Sequence, residues 1–169
     1  MKRSLILWQI GGLTFSAVLG TLFHFLYNWT DFILFAPFSA LNESTWEHMK
    51  LLFFPSFIFA IIQSIFFLKD YPLFWRIKLI GIMVGLLIIP TLFYTYNGAI
   101  GKSPDWFNVS IFFIALIVEY FFEYRQLKSE KTKSPLLIFS IVSLAIITFL
   151  FIIFSFYPPN LPLFTPPII

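Results

Sequence analysis

Five stretches of this chain are long and apolar enough to cross a lipid bilayer, and that restricts the fold more than any other feature. A helical span needs about 20 mostly apolar residues. Runs at 5–27, 47–68, 77–97, 106–124 and 135–157 meet the requirement. In hydrocarbon every backbone N–H and C=O must be satisfied within the segment, which for runs of this length means helix. The expected fold is therefore all-α: a polytopic integral membrane bundle of five transmembrane helices, forming a single transmembrane domain over residues 1–169. Only 11% of the residues are charged, against about 25% in a soluble domain. The chain has no cysteine, which removes disulfides, thiolate metal sites and cysteine nucleophiles together.

The distribution of Lys and Arg sets the expected orientation, because cytoplasmic loops collect positive charge. Lys2 and Arg3 precede the first span; Lys69, Arg76 and Lys78 fall between the second and third; Arg125, Lys128, Lys131 and Lys133 fall between the fourth and fifth. Only Lys50 and Lys102 are left for the other side. The amino terminus is expected in the cytoplasm and the carboxyl terminus outside. The net charge of +3 is accounted for by this pattern, so no nucleic-acid partner is inferred; the expected partner is the bilayer, with protein partners left open. The first span exceeds a secretory h-region of about 7–15 residues and lacks a clear small-residue cleavage site, so it reads as an uncleaved anchor.

Along that span Gln9, Gly12, Ser16, Gly20, His24 and Tyr27 recur at steps of three and four, which puts them on one helical face. Small residues on such a face allow close helix approach. His24 shares the face near the outer end of the span, where an ionisable group is costly and usually functional. The following loop, 28–44, contains Phe32-Ile33-Leu34-Phe35-Ala36-Pro37-Phe38. This run is too short to cross the bilayer and too apolar for water, so it reads as interfacial or re-entrant.

The most polar block of the chain follows: Asn42-Glu43-Ser44-Thr45-Trp46-Glu47-His48-Met49-Lys50. Ser44 and Glu47 have the spacing of a reciprocal capping box. Pro55 should kink the second helix. In the third span Gly81-x-x-x-Gly85 is a close-packing signal, and Tyr94, Thr95, Tyr96 and Asn97 form a polar cuff at the outer surface. Ser103-Pro104-Asp105 reads as a helix start with a cap, proline at the first position and an acid in the first turn. Asn108, Phe112, Ala115 and Glu119 share a face of the fourth span.

With the orientation above, His24, Glu43, Glu47 and His48 converge at one depth, near Tyr94, Asn97 and Asn108. Two histidines and two carboxylates are a plausible ligand set for a divalent metal such as zinc. Other readings stand beside this one. Glu47 is explained by capping and Glu43 by the helix dipole; His48 suits the headgroup level; a hydrogen bond from His24 to either carboxylate satisfies both without metal. Glu119 either pairs near Arg125 at the cytoplasmic interface or belongs to a polar path through the membrane.

His24-Phe25-x-Tyr27-x-Trp29, Asn42-Glu43-Ser44-x-Trp46-Glu47-His48-x-Lys50, Tyr94-Thr95-Tyr96-x-Gly98-x-x-Gly101 and Tyr157-Pro158-Pro159-x-x-Pro162-Leu163-Phe164 resemble the pattern of an uncharacterised family of small bacterial multi-spanning membrane proteins. The resemblance implies a shared fold and a bacterial cytoplasmic membrane, and no mechanism. The tail departs from that pattern at Thr165-Pro166, where an acidic residue before the proline is expected. The residues point to an outward-facing His/Glu pocket binding an ion or small polar ligand, in a transporter by one reading. The alternatives are a metal-dependent membrane hydrolase, with His24 and His48 as ligands and Glu47 as base, and a structural or accessory subunit.

Overall fold

The structure, a computed structural model, describes residues 2–129 and 137–166. Among the described residues it is helical throughout, with no strand: α1 (Lys2–Thr30), α2 (Thr45–Phe67), α3 (Phe74–Ala99), α4 (Asp105–Ser129) and α5 (Leu137–Phe156), with short 3₁₀ turns at Ile33–Phe35 and Pro162–Phe164. All five helices are long and apolar enough to cross a membrane. Lys131, Lys133 and the start of the fifth span expected at 135 lie outside the described residues.

Local chemistry explains where the helices stop. Asp31 takes a left-handed backbone, φ 50°, and its N–H returns to the Tyr27 carbonyl at 2.8 Å; this is how a short polar side chain ends a helix when glycine is absent. Gly101 does the same after α3, at φ 102°, with its N–H on the Asn97 carbonyl. At the start of α2, Ser44 is the N-cap and its hydroxyl accepts from the Glu47 N–H at 3.4 Å. The return half of the capping box does not form. The Ser44 N–H donates to Asn42 Oδ1 at 2.8 Å, because the Glu47 carboxylate is drawn inward to Lys50.

Helices α1, α2, α3 and α4 pack in a ring, each against the next and α4 against α1; α5 lies outside it, mainly along α3. We call the end bearing the 31–44 loop, the α3–α4 turn and the C-terminal tail the loop end, and the end bearing the amino terminus and the α2–α3 turn the turn end. Leu52, Phe53, Ile82, Leu86, Ile111, Leu116, Leu144 and Phe151 form the apolar centre. Large apolar side chains on the outer faces, Leu7, Ile65, Ile138 and Phe149 among them, are exposed as lipid contact requires.

Lipid tails are as apolar as leucine, so helices associate in a bilayer through close packing and polar contacts rather than hydrophobic burial. The glycines of the predicted stripes mark where this happens. A Cβ on Gly12 would meet the rings of Phe59 and Tyr120 at 2.5 Å, and one on Gly20 would lie 2.5 Å from the Leu51 carbonyl oxygen. That carbonyl is the one Pro55, four residues on, leaves without its N–H partner. Thus α1 comes up against the α2 backbone beside the proline inside that helix.

Candidate functional site

The 31–44 loop is fastened to α1 by an insertion into the helix ladder. The Ser39 hydroxyl donates to the Phe23 carbonyl and accepts from the Tyr27 N–H at 2.9 Å, bridging a donor and acceptor that would otherwise bond each other. The Ala40 N–H also reaches the Phe23 carbonyl, at 3.4 Å. These bonds flank His24 and bring the chain leading to Glu43 across its face.

His24, Glu43 and His48 consequently meet, each offering one ligand atom within 4.8 Å of the others. Glu43 Oε2 stands 3.3 Å from His48 Nε2, and the two imidazole rings are 5.5 Å apart. His48 Nδ1 lies 2.9 Å from the Ser44 carbonyl, so Nδ1 carries a proton and donates. Its Nε2 then faces a carboxylate oxygen, a contact that is favourable only with a proton on Nε2 or a cation between the two. The hydrogen bond from His48 holds the Glu43 carboxyl below its ordinary value. His24 Nδ1 is buried and has no hydrogen-bond partner.

Three ligands with the remaining position open to water is the arrangement of an accessible zinc site, and a ligating histidine tied through its other nitrogen to a carbonyl is its usual support. Zinc at about 2.1 Å from each ligand sets tetrahedral ligand atoms about 3.4 Å apart, so the group, now within 4.8 Å, would close by more than an ångström around the ion.

Glu47 does not join the three. Its Oε2 is 2.7 Å from Lys50 Nζ and accepts from the Leu41 N–H at 2.8 Å. Lys50 is fully buried; its Nζ also donates to the Ala36 carbonyl at 2.9 Å and to Ser155 Oγ on α5 at 2.8 Å. The pair fastens the loop and α5 to the head of α2. Beside it Trp46 is covered by Phe151 on α5 and Phe164 in the tail, with ring centroids 4.5 and 4.7 Å away.

Asn97 and Asn108 are engaged with each other's turn. Asn97 Oδ1 accepts from the Ser103 N–H at 2.9 Å, and the Ser103 hydroxyl donates to Asn108 Oδ1 at 2.7 Å. The Ser103 hydroxyl thus braces the α3–α4 turn. Tyr94 and Asn97 line a shallow groove with the tail residues Asn160, Leu161, Pro162 and Thr165.

A second polar group occupies the core toward the turn end, and sequence reasoning found only part of it. Lys78 Nζ is 2.6 Å from Glu123 Oε2, with 1% and 0% of the side chains exposed. Glu119, one turn along α4, is also fully buried, and neither of its oxygens has a hydrogen-bond partner. Arg125 is not its partner; that guanidinium lies over the Phe121 ring. The Gly81-x-x-x-Gly85 pair makes room for these carboxylates: a Cβ on Gly81 would stand 2.6 Å from Glu123 Cγ, and one on Gly85 3.0 Å from Glu119 Oε2. Across the ring, Ser16 and Tyr120 share a hydrogen bond of 2.8 Å. The signal in the sequence was the matching period, Glu119-x-x-x-Glu123 on one helix and Gly81-x-x-x-Gly85 on the next.

A family model matches residues 2–169, nearly the whole chain. The chain belongs to the family of unknown function DUF6512. No curated protein and no solved structure matches it. Family membership therefore brings no activity, and the site has to be read from its own chemistry.

Proposed function

We propose that this multi-pass membrane protein binds a divalent cation of the zinc class at its loop end, through His24, Glu43 and His48, with water in the open position. One observation carries the reading: two imidazoles and a carboxylate from α1, the loop and α2 meet within 4.8 Å, with a buried, unpartnered nitrogen among them. The positive-inside pattern supports the extracytoplasmic face for this end, and in a cytoplasmic membrane the site would there capture an ion for transport. The hydrolase reading is weaker because its base, Glu47, is neutralised by Lys50 and held by the Leu41 N–H. Metal analysis of protein purified with zinc and then dialysed tests the proposal. Stoichiometric zinc in the parent, lost in both His24→Ala and His48→Ala at unchanged metal-free melting temperature, is the expected result. Absence of zinc from the parent, or equal zinc in all three, overturns it.

A further inference from the structure

The core group near the turn end contains two carboxylates and one ammonium. Lys78 and Glu123 neutralise each other at 2.6 Å. Glu119 sits one turn from Glu123 on the same helix face, with no exposure. Unpaired charge in such surroundings is costly enough that a compensating positive charge must accompany it. The geometry limits what that charge can be. Glu119 Oε2 lies against Gly85 so closely that a methyl there would stand 3.0 Å away, with the Leu52 methyl groups beside it. A sodium-sized ion needs a shell of oxygen ligands; the polar neighbour Glu119 has from α2 is the Ser56 hydroxyl.

The other helices of the ring add polar groups at nearly the same depth. Gln9 is one turn toward the turn end from Gly12, and Gln63 one turn toward it from Phe59; Gly12 and Phe59 meet across the α1–α2 contact. Both amides are at least nine-tenths buried and wholly unpartnered. Buried amides of this kind are normally satisfied by water. Each of the four ring helices thus contributes a polar side chain here: Gln9, Gln63, Lys78 and Glu123.

We propose that Glu119, with Lys78 and Glu123, forms a proton-binding site in the bundle core, filled in the resting protein and reached by water from the turn end past Gln9 and Gln63. The groups around Glu119 are Lys78 from α3, Glu123 from its own helix and the uncharged Ser56 from α2; the neighbouring Tyr120 is bonded to Ser16 of α1. Release converts the Glu119 carboxylic acid to carboxylate and delivers one proton to water. The three ionisable groups are then left one unit negative, and a proton returning from water restores neutrality. The site uses none of the loop-end ligands and stands or falls separately from them.

Infrared spectroscopy of the full chain in lipid nanodiscs tests the proposal. At neutral pH the parent is expected to show a carboxylic-acid C=O band that shifts in D2O and is absent from Glu119→Gln. Glu123→Gln should lose it too, since Lys78 then turns to Glu119 and ionises it. Ser56→Ala should move the band without abolishing it, which assigns the band even if a glutamate variant fails to fold. A parent without the band overturns the proposal, as does a band that persists in Glu119→Gln. Loss of the band when sodium replaces a bulky organic cation at constant pH overturns it in favour of a small-cation site.

Discussion

Lys78 on α3 and Glu123 on α4 form an ion pair with no access to solvent. Two charges taken out of water are held by their mutual attraction, and removing one strands the other. Lys78→Met should lower stability by about 3–5 kcal/mol, and Glu123→Gln by less, because Lys78 can then pair with Glu119. Replacing both with apolar residues of similar volume should restore most of it. Equilibrium unfolding of the four proteins in one detergent gives the coupling, and additive effects would argue against the pair.

Gly81→Ala should be the most damaging of the glycine changes on α3, because the new methyl would stand 2.6 Å from Glu123 Cγ. Overpacking of this kind costs about 1–3 kcal/mol. Gly98→Ala and Gly11→Ala are the controls: nothing lies within 4 Å of either, so better helix propensity should leave stability unchanged or slightly higher. Thermal melts of the three variants provide the comparison.

Glu47→Gln separates structure from metal binding. It leaves Lys50 buried without its counter-charge, which should reduce stability by about 3–5 kcal/mol. Zinc stoichiometry of the folded fraction should be unchanged, because Glu47 is not among the three converging ligands. Loss of zinc from folded Glu47→Gln would place that carboxylate in the site.

The acid limb of stability should respond to Glu43. Its folded-state pKa is lowered by the hydrogen bond from His48. A lowered carboxylate contributes stability above its unfolded value, and that contribution disappears as pH falls through the folded value. The parent should therefore lose stability below the ordinary value of 4.5, and Glu43→Gln should show a flatter limb there. The difference should be small, since the Glu43 side chain is 61% exposed. Zinc affinity should also fall as the pH drops, because protons compete with the metal for the imidazole ligands; melting curves with and without zinc across the acid range check both.

The helices were legible because bilayer thickness imposes a length on each apolar run, and that constraint acts locally. The approach of His24 to Glu43 and His48 was legible at the level of depth, from helix direction alone. Its fastening was not, because a Ser39 hydroxyl inserted between Phe23 and Tyr27 leaves no periodic trace. Lys50 and Lys78 were read as loop-side charges, yet both are buried and paired. A count of positive residues registers position along the chain and is blind to a side chain that turns into the bundle. Glu47 shows the same gap from the other side: its spacing to Ser44 signals a cap, while its carboxylate answers to a lysine on the next turn. Asn97 and Asn108 carried a depth signal but meet through Ser103, by its N–H and its hydroxyl, a turn contact that depth cannot distinguish from a ligand site.

The burial of Glu119 and Glu123 bears on how the chain enters the membrane during synthesis. Alone, α4 would present two carboxylates to acyl chains, a poor candidate for independent partitioning. Lys78 reaches Glu123 from the helix made just before it. The third and fourth segments should therefore leave the translocon as a pre-neutralised hairpin, the lysine waiting for its glutamate before either meets lipid.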